Sequence, residues 1–401
     1  MNRLQISILL IFIPLLFFVL LVGGTIPYFL FYVFLLTFLI PLLHSLISLM
    51  GIKGSVQLPK DALFTGEKIS IAYEVKNNSI FRIPYMEIQS HILEQLTGID
   101  YPNVALALEK KEDFIRKEIG VLKRRGYYQL GEIHITIRDV FGFFSFKKKI
   151  RSNASLLVYP EVVSLSTFKI NVSQQSGELL IQDSFFQDKS RIDSLREYRE
   201  GDSIKAIHWK LTAKKDVPII KNFENRGDTH VVVFVDNEHR LFKYDIDRHL
   251  EDKAAVAAIS IVNYCLNQNI EVNLITQDNK SHINIQGRQS AELKPFLEAL
   301  ARFKGNGALD FRFLIMPSID ALKRGSTVVI ITPNLDKAMG VHGIQLKMKN
   351  YNPLFIVITD RENKTGYIDQ LVEKRLKQEG IIIYILDHSA NIKEALEVFH
   401  G

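Results

Sequence analysis

The chain has 401 residues, enough for two or three domains, and a formal net charge of +6 at pH 7. Its basic residues do not collect into one stripe interleaved with aromatic residues, so we expect no nucleic acid among its partners. The single cysteine, Cys265, excludes an intramolecular disulfide bond and fits a reducing compartment.

Two long apolar runs open the sequence. Residues 4–22 and 26–50 contain no Asp, Glu, Lys or Arg. About 20 apolar residues are enough to cross the hydrocarbon core of a bilayer, so each run is long enough to span it. The Gly-Gly-Thr between them leaves room only for a tight turn. The pattern predicts a membrane α-hairpin within residues 1–53, with the lipid bilayer as its partner.

The charges that flank the two runs predict the orientation of this hairpin. Arg3 precedes the first run, Lys53 and Lys60 follow the second, and the turn carries no charge. The positive-inside rule therefore predicts a multi-pass protein of the cell membrane with both termini in the cytoplasm. The alternative is a signal peptide, because Met-Asn-Arg before an apolar run imitates one. The second full-length run argues against it.

Residues 54–160 change to short alternating segments separated by turn residues, the pattern of an all-β sandwich. Asp139, which precedes Val-Phe-Gly between two of these segments, has two interpretations: a catalytic acid or a turn former, of which we favour the second. Strands are predicted over residues 56–58, 69–75, 85–92, 114–122, 126–137 and 143–150.

Residues 161–228 form the inter-domain connection and contain the most distinctive stretch of the chain. It reads R-x-Y-x-x-G-D, then I-x-W-K, then A-K-K, and an apolar segment follows. This pattern resembles DUF family 58, a bacterial family of unassigned biochemistry. The residues of this motif that we take as candidate binding residues are Arg196, Tyr198, Gly201, Asp202, His208, Trp209, Lys210 and Lys215.

Two roles are open for this motif. Asp202 and His208 would make an acid/base pair if the loop between them folds back. In the structural interpretation, which we favour, Arg196 pairs with Asp202 and Trp209 fills the joint between the β and α/β domains, because buried charges need partners and a lone tryptophan is a large apolar filler.

After residue 228 the pattern alternates strands with helices. This alternation predicts a doubly wound α/β domain over residues 229–401, with ligands at the carboxyl ends of its strands. No Gly-rich phosphate loop occurs, so nucleotide binding is not expected and no cofactor is predicted. Strands are predicted over residues 229–235, 270–276, 327–332, 354–359 and 381–386, and helices over 247–267, 291–303, 367–379 and 392–400.

In DUF family 58 this last domain is similar to a von Willebrand factor A domain. That resemblance implies a Mg²⁺ site with the pattern D-x-S-x-S after the first strand. Asp236 is kept here, but Glu238 and Arg240 replace the two serines. A hard divalent ion prefers oxygen ligands, and Arg240 brings a cation instead. We therefore expect a degenerate site at Asp236 and Glu238 that holds no metal; an altered site with His239 and Asp245 is the alternative.

Two functions remain open from the sequence. The first is a membrane-anchored adaptor that presents a protein-binding surface to the cytoplasm; the resemblance implies a MoxR-type AAA+ ATPase as its partner. The second is an enzyme or accessory factor of cell-envelope polysaccharide or peptidoglycan metabolism that uses the region of Asp202 and His208. An enzyme should bring titratable groups together in a cleft, and the sequence offers one weak set. We favour the adaptor.

Overall fold

The computed structural model describes residues 3–58, 63–130, 132–151, 155–170, 192–198, 207–215, 217–223, 230–278, 281–319 and 322–397, with the backbone alone for residues 3–10, 192–196, 215 and 221–223. The chain divides into two compact units, Met1–Glu161 and Val162–Gly401.

The first unit begins with two helices, α1 (Arg3–Val22) and α2 (Thr25–Gly51). Within the described residues, α2 is the one helix long and apolar enough to cross a membrane, by length and composition; Ile11–Val22 forms a shorter apolar helix. The structure therefore supports one candidate membrane span, whereas the predicted hairpin has two.

The rest of the first unit is built mainly from β-strands. One sheet has the order β1-β3-β6, a second β5-β4-β8-β9 and a third β2-β10-β7. Buried residues such as Ile71 on β3 and Ile135 on β8 share one core. The elements are β1 (Ile52–Gln57), β2 (Leu63–Phe64), β3 (Lys68–Asn77), β4 (Ile83–Ser90), α3 (Ile92–Thr97), β5 (Val104–Leu108), β6 (Asp113–Val121), β7 (Gly126–Gln129), β8 (Glu132–Arg138), β9 (Ser145–Arg151) and β10 (Ser155–Tyr159).

Two local predictions for this unit have opposite outcomes. The single strand predicted over residues 126–137 is wrong, because β7 and β8 belong to different sheets. The interpretation of Asp139 as a turn former is confirmed. Its carboxylate accepts hydrogen bonds from the backbone N–H groups of Phe141, at 3.0 Å, and Phe144, at 2.6 Å, and so closes the turn between β8 and β9.

The helix α2 continues into the β-structure without a linker. It ends at Gly51, and β1 begins at the next residue. Lys148 on β9 donates hydrogen bonds from Nζ to the carbonyl oxygens of Leu49, at 2.9 Å, and Ile52, at 2.6 Å. A β-carbon on Gly51 would lie 2.5 Å from the backbone nitrogen of Ser79, so glycine is needed at this junction. The helix end is therefore fixed to the strands around it.

The second unit contains a six-stranded sheet of order β15-β14-β13-β16-β18-β20, in which every pair is parallel except β14 with β15. A two-stranded sheet, β11-β12, precedes it in the chain. The strands are β11 (Ile192–Glu197), β12 (Ile219–Phe223), β13 (His230–Val235), β14 (Glu271–Gln277), β15 (His282–Gly287), β16 (Thr327–Thr332), β17 (Asn334–Leu335), β18 (Asn352–Thr359), β19 (Tyr367–Ile368) and β20 (Ile382–Asp387).

Helices lie on both faces of the six-stranded sheet. Residues of one face, such as Phe234 and Phe355, share a core with residues of α8, α9 and α10. The alternate residues, such as Val233, point to the other face, where α6 contacts four of the strands. The helices are α4 (Trp209–Lys215), α5 (His239–Phe242), α6 (His249–Asn267), α7 (Leu293–Arg302), α8 (Arg312–Ile319), α9 (Lys337–Met348), α10 (Gln370–Gln378) and α11 (Ile392–Glu397).

The alternation of strands and helices agrees with the predicted pattern, but several elements were not predicted, among them β15, α8 and α9. The strand β15 lies at the sheet edge, where alternate residues face water. Helices α8 and α9 have weak apolar periodicity because α8 contains Pro317 and α9 contains Gly340 and Gly343, which allow close packing against Val372 and Phe355.

We predict that Lys148→Met lowers the thermal unfolding midpoint of the detergent-solubilised chain. The change removes the ammonium group that donates hydrogen bonds to carbonyl oxygens at the end of α2. The negative end of the helix dipole also favours this positive charge, so its loss should cost about 1–2 kcal/mol of stability. Lys147→Met is the matched control, because Lys147 is exposed on the same strand. Equal midpoints for the two variants would show that the junction does not depend on Lys148.

Candidate functional site

The carboxyl ends of the parallel strands bring polar side chains to one edge of the second unit. Asp236 follows β13, Thr332 ends β16, Asp360 follows β18 and His388 follows β20. The helix α6 starts at this edge with His249. The central strands β13, β16 and β18 are buried on both faces, so this edge is where polar groups can gather and ligands bind.

Asp236 is the most enclosed of these groups, with a side chain that is 1% exposed. Its Oδ2 accepts a hydrogen bond from the Thr332 hydroxyl at 2.7 Å, and its Oδ1 accepts one from the backbone N–H of Glu238 at 3.0 Å. Burial raises the pKa of Asp236 to about 7, against the effect of these two hydrogen bonds and with help from the charge of Glu238.

Glu238 and Arg240 stand where the two serines of D-x-S-x-S would be. The Arg240 guanidinium Nε lies 2.8 Å from Glu238 Oε1 and points out into solvent. The other oxygen, Oε2, accepts a hydrogen bond from the backbone N–H of Phe311 at 3.4 Å. Protein donors therefore contact the carboxylates of Asp236 and Glu238, and the absence of Mg²⁺ at this position stays a prediction.

His239 and Asp245, which we considered as members of an altered site, do not join this cluster. His239 Nδ1 lies 3.4 Å from the carbonyl oxygen of Gly305. The Asp245 carboxylate accepts hydrogen bonds from the backbone N–H groups of Leu250 and Glu251 at the start of α6. Both side chains have local structural roles.

A cluster that the sequence analysis did not identify lies farther along the same edge. His249 Nδ1 is 2.9 Å from Asp360 Oδ2, and His388 Nδ1 is 3.3 Å from Asp360 Oδ1. The two imidazole rings stack with centroids 4.4 Å apart and planes 2° apart. The available signal was the position of Asp360 directly after one predicted strand and of His388 two residues after another. The partner histidine is 111 positions away from Asp360 in the sequence.

Asp360 is held rigidly and in its ionised form. Asn363 donates hydrogen bonds to both oxygens, from its backbone N–H to Oδ1 and from its side-chain amide to Oδ2, each at 2.9 Å. Burial opposes ionisation. The hydrogen bonds from Asn363 and His249, with the positive charge of His388, outweigh it and lower the pKa of Asp360 to about 2.

A cleft of about 460 Å³ opens at this edge, and exposed apolar side chains surround it. Tyr244 and Tyr367 are largely exposed. The residues that line the cleft include Arg240, Leu241, Tyr244, Asn334, Asn363 and Tyr367. The edge therefore combines polar groups with apolar side chains that have no cover within the described residues of this unit.

The structure brings together parts of the predicted motif around β12. The backbone N–H of Tyr198 donates to the Pro218 carbonyl, and that of His208 to the Ile219 carbonyl, each at 2.8 Å. Arg196, in β11, pairs with Ile220. Gly201 and Asp202 lie outside the described residues, and for Arg196 and Lys215 the structure describes the backbone alone. The pairing of Arg196 with Asp202 therefore stays a prediction.

Trp209 corrects the structural interpretation of the motif. It is 65% exposed, so within the second unit Trp209 is not the buried filler that was predicted. Trp209 and Lys210 begin α4, and both point into solvent. The buried apolar residues of this region are instead Ile219 and Ile220, which belong to β12.

The motif and part of the sheet have a counterpart among protein families. Residues 194–364 match the family described as "Protein of unknown function DUF58". A relative, the uncharacterized protein YeaD of Bacillus subtilis, is 24% identical over 220 residues, which cover 53% of this chain and 55% of that protein. The chain thus spans about half the length of the curated relative that it matches.

Similar solved structures include a von Willebrand factor type A protein from Catenulispora acidiphila. The two chains are 11% identical with a TM-score of 0.31, and the match covers 45% of this chain and 42% of that protein's chain. A CARDB domain from Pyrococcus furiosus is 15% identical with a TM-score of 0.18, and covers 25% of this chain and 86% of its own. These similarities are too weak to carry a conclusion about this protein.

We predict that Asp236 makes the stability of the second unit depend on pH. The folded carboxyl keeps its proton up to about pH 7, whereas the unfolded one loses it near pH 4. This contribution to stability is present below about pH 4 and is lost as the pH rises through 7. A shift of about three pKa units corresponds to roughly 4 kcal/mol.

The test compares the free energies of unfolding of wild type and Asp236→Asn between pH 4 and 7.5. The variant should gain up to roughly 4 kcal/mol relative to wild type as the pH rises, because its amide cannot ionise. Glu292→Gln is the control. Hydrogen bonds from the backbone N–H groups of Arg288 and Gln289 lower the pKa of Glu292, so its difference from wild type should stay constant above about pH 5. A constant difference for Asp236→Asn would contradict the raised pKa.

Proposed function

We propose that this protein is a membrane-anchored binding partner that presents an adaptor surface to the cytoplasm. The partner that we propose is a MoxR-type AAA+ ATPase, which rests on the resemblance of the motif to DUF family 58. The fold that we propose for the second unit is the von Willebrand factor A type, on the basis of the parallel sheet with helices on both faces.

The exposed Trp209 is the observation that carries this proposal. Leaving so large an apolar side chain in water costs free energy that burial against a partner would recover. Tryptophan, tyrosine and arginine dominate the binding energy of protein interfaces. Lys210 and Lys214 are exposed beside Trp209 on the same short helix. The surface therefore fits a partner that offers an apolar pocket rimmed by acidic residues.

The enzyme alternative has less support. His208, its proposed acid or base, has a local structural role, because its Nδ1 accepts a hydrogen bond from the backbone N–H of Leu211 at 3.3 Å in the first turn of α4. Its backbone carbonyl also accepts from the N–H of Thr212. These contacts fix the imidazole beside α4 rather than in a cleft with other titratable groups of the described chain.

The first unit provides the proposed membrane attachment, through α2. From Thr25 to Phe38 this helix rises about 20 Å, roughly 10 Å less than the hydrocarbon core of a bilayer. At Phe38 the β-structure already contacts the helix, because the Phe143 ring lies 4.7 Å from that of Phe38. If α2 spans the membrane, the turn between β8 and β9 must enter its apolar layer.

The composition of this turn fits that depth. Val140 and Phe141 are largely exposed in the turn that Asp139 closes. Apolar side chains at the boundary of the acyl chains stabilise peripheral attachment. We therefore propose that α2 and this turn together hold the first unit in the membrane. We further propose that α1 also spans the membrane, so that α1 and α2 form a two-span hairpin with both termini in the cytoplasm.

We predict that Trp209→Ala weakens capture of the ATPase from solubilised membranes by at least roughly 30-fold, the scale of a 2 kcal/mol interface hot spot. The unfolding midpoint of the variant should match wild type, because the side chain is exposed. Capture by wild type should fall at high salt if the lysines contribute.

Phe313→Ala is the matched control, because Phe313 is an equally exposed aromatic residue on α8. It should bind the ATPase as wild type does. A Trp209→Ala protein that unfolds early, or that captures the ATPase normally, would contradict the proposal; so would the absence of any ATPase in captures by wild type.

We predict that a polarity-sensitive dye on Phe141→Cys reports an apolar environment in membranes. The native Cys265 is fully buried and will not compete for the label. Ile119→Cys is the control. Ile119 is exposed on β6 and pairs with Ser70 of β3, near the end of β3 that is farther from the junction with α2. Its dye should report water. Equal emission from the two sites would show that the turn stays outside the bilayer.

A further inference from the structure

Three side chains from distant parts of the second unit meet at the carboxyl edge of the sheet. His249 starts α6, Asp360 follows β18 and His388 follows β20. One ligand atom of each lies within 4.8 Å of the others. Neither the motif nor the position of Asp236 includes any of these residues, so the cluster is independent of the proposed adaptor surface.

The chemistry of these donors is that of a transition-metal site. Two imidazoles and one carboxylate are ligands that Zn²⁺ and related ions accept, whereas Mg²⁺ and Ca²⁺ prefer oxygen ligands. Zinc binds such atoms at about 2.0–2.2 Å in a tetrahedron, so its ligand atoms lie roughly 3.3–3.5 Å apart. Asp360 Oδ2 lies 2.9 Å from His249 Nδ1, and Asp360 Oδ1 lies 3.3 Å from His388 Nδ1. Side-chain rotations that also turn the two rings out of their stack would open the cluster to the required size.

The surroundings of the cluster are prepared for a cation. Asp360 is 1% exposed, and Asn363 fixes its carboxylate. His388 Nδ1 is buried and has no hydrogen-bond partner in the described part of the chain, although it faces Asp360. A buried nitrogen without a partner costs free energy, which a bound ion would remove.

A carboxylate lies near the other ring nitrogen of His388, at a distance longer than a hydrogen bond. His388 Nε2 lies 3.8 Å from Glu362 Oε2. Histidines that bind metals commonly donate the remaining N–H to a carboxylate, which fixes the tautomer. The side chains of His249 and His388 are 32% and 18% exposed, so an ion can reach them from solvent.

We propose that His249, Asp360 and His388 form a binding site for one divalent transition-metal ion of the zinc class. Three protein ligands leave a fourth position for water or for an oxygen or nitrogen atom of a ligand. An ion lies in the plane of each imidazole that it binds. The parallel rings therefore turn out of their stack when the ion enters.

The test uses the full chain in detergent, stripped of metal with a chelator, and Co²⁺ as a coloured probe. Wild type should bind one equivalent with the visible absorption of a low-coordinate cobalt site, Zn²⁺ should displace it, and Mg²⁺ should not. His249→Gln, His388→Gln and Asp360→Asn should each weaken binding by more than about 10- to 100-fold, the loss that outer-shell changes alone produce.

His239→Gln and His282→Gln are the matched controls, because both histidines are exposed in the same unit. They should bind Co²⁺ as wild type does. A wild-type chain that binds no equivalent, or whose binding survives His249→Gln and His388→Gln, would overturn the proposal.

A measurement on wild type alone covers the case in which a variant fails to fold. With ¹³C-labelled histidine, Zn²⁺ should shift the ring signals of two of the 11 histidines and saturate at one equivalent. Retention of the unperturbed signals at saturating Zn²⁺ would also overturn the proposal. Neither result depends on capture of an ATPase, so this site and the adaptor function can fail separately.

Discussion

Parallel pairing of buried strands is the constraint on which the second unit depends. The strands β13 and β16 are buried along their whole length, so they tolerate no unpaired polar side chain between their ends. Parallel connection also brings the carboxyl end of each strand to the same edge. Residues that follow different strands, such as Asp236 and Asp360, therefore lie along one edge of the sheet, and the chemistry of the unit concentrates there.

The two aspartates show how the environment at one edge decides the state of a carboxyl group. Asp236 is enclosed beside another acidic residue and receives only two hydrogen bonds, so burial raises its pKa. Asp360 is equally hidden from solvent, but it faces two imidazoles and receives both donors of Asn363. Burial disfavours the charged form, and only enough donors and positive charge reverse that effect. The second environment suits a cation.

The first unit depends on the direct passage from α2 into β1. A helix that continues into a strand without a linker, with Lys148 bonded across the junction, transmits the position of the helix to the sheets. The turn closed by Asp139 then lies beside the apolar part of α2 rather than beyond its end. Any membrane that holds α2 must also accommodate Val140 and Phe141.

The sequence by itself determined the features that repeat locally: the apolar run of α2, the buried strands β13 and β16, and the turn at Asp139. Their signals lie within a few neighbouring residues, because a strand buried on both faces or an Asp-led turn leaves a short pattern. The exposure of Trp209 had no such signal, since a single residue does not show which surface covers it. Only the tertiary structure joined His249 to Asp360 and His388, because parallel strands bring together residues that are more than a hundred positions apart in the chain.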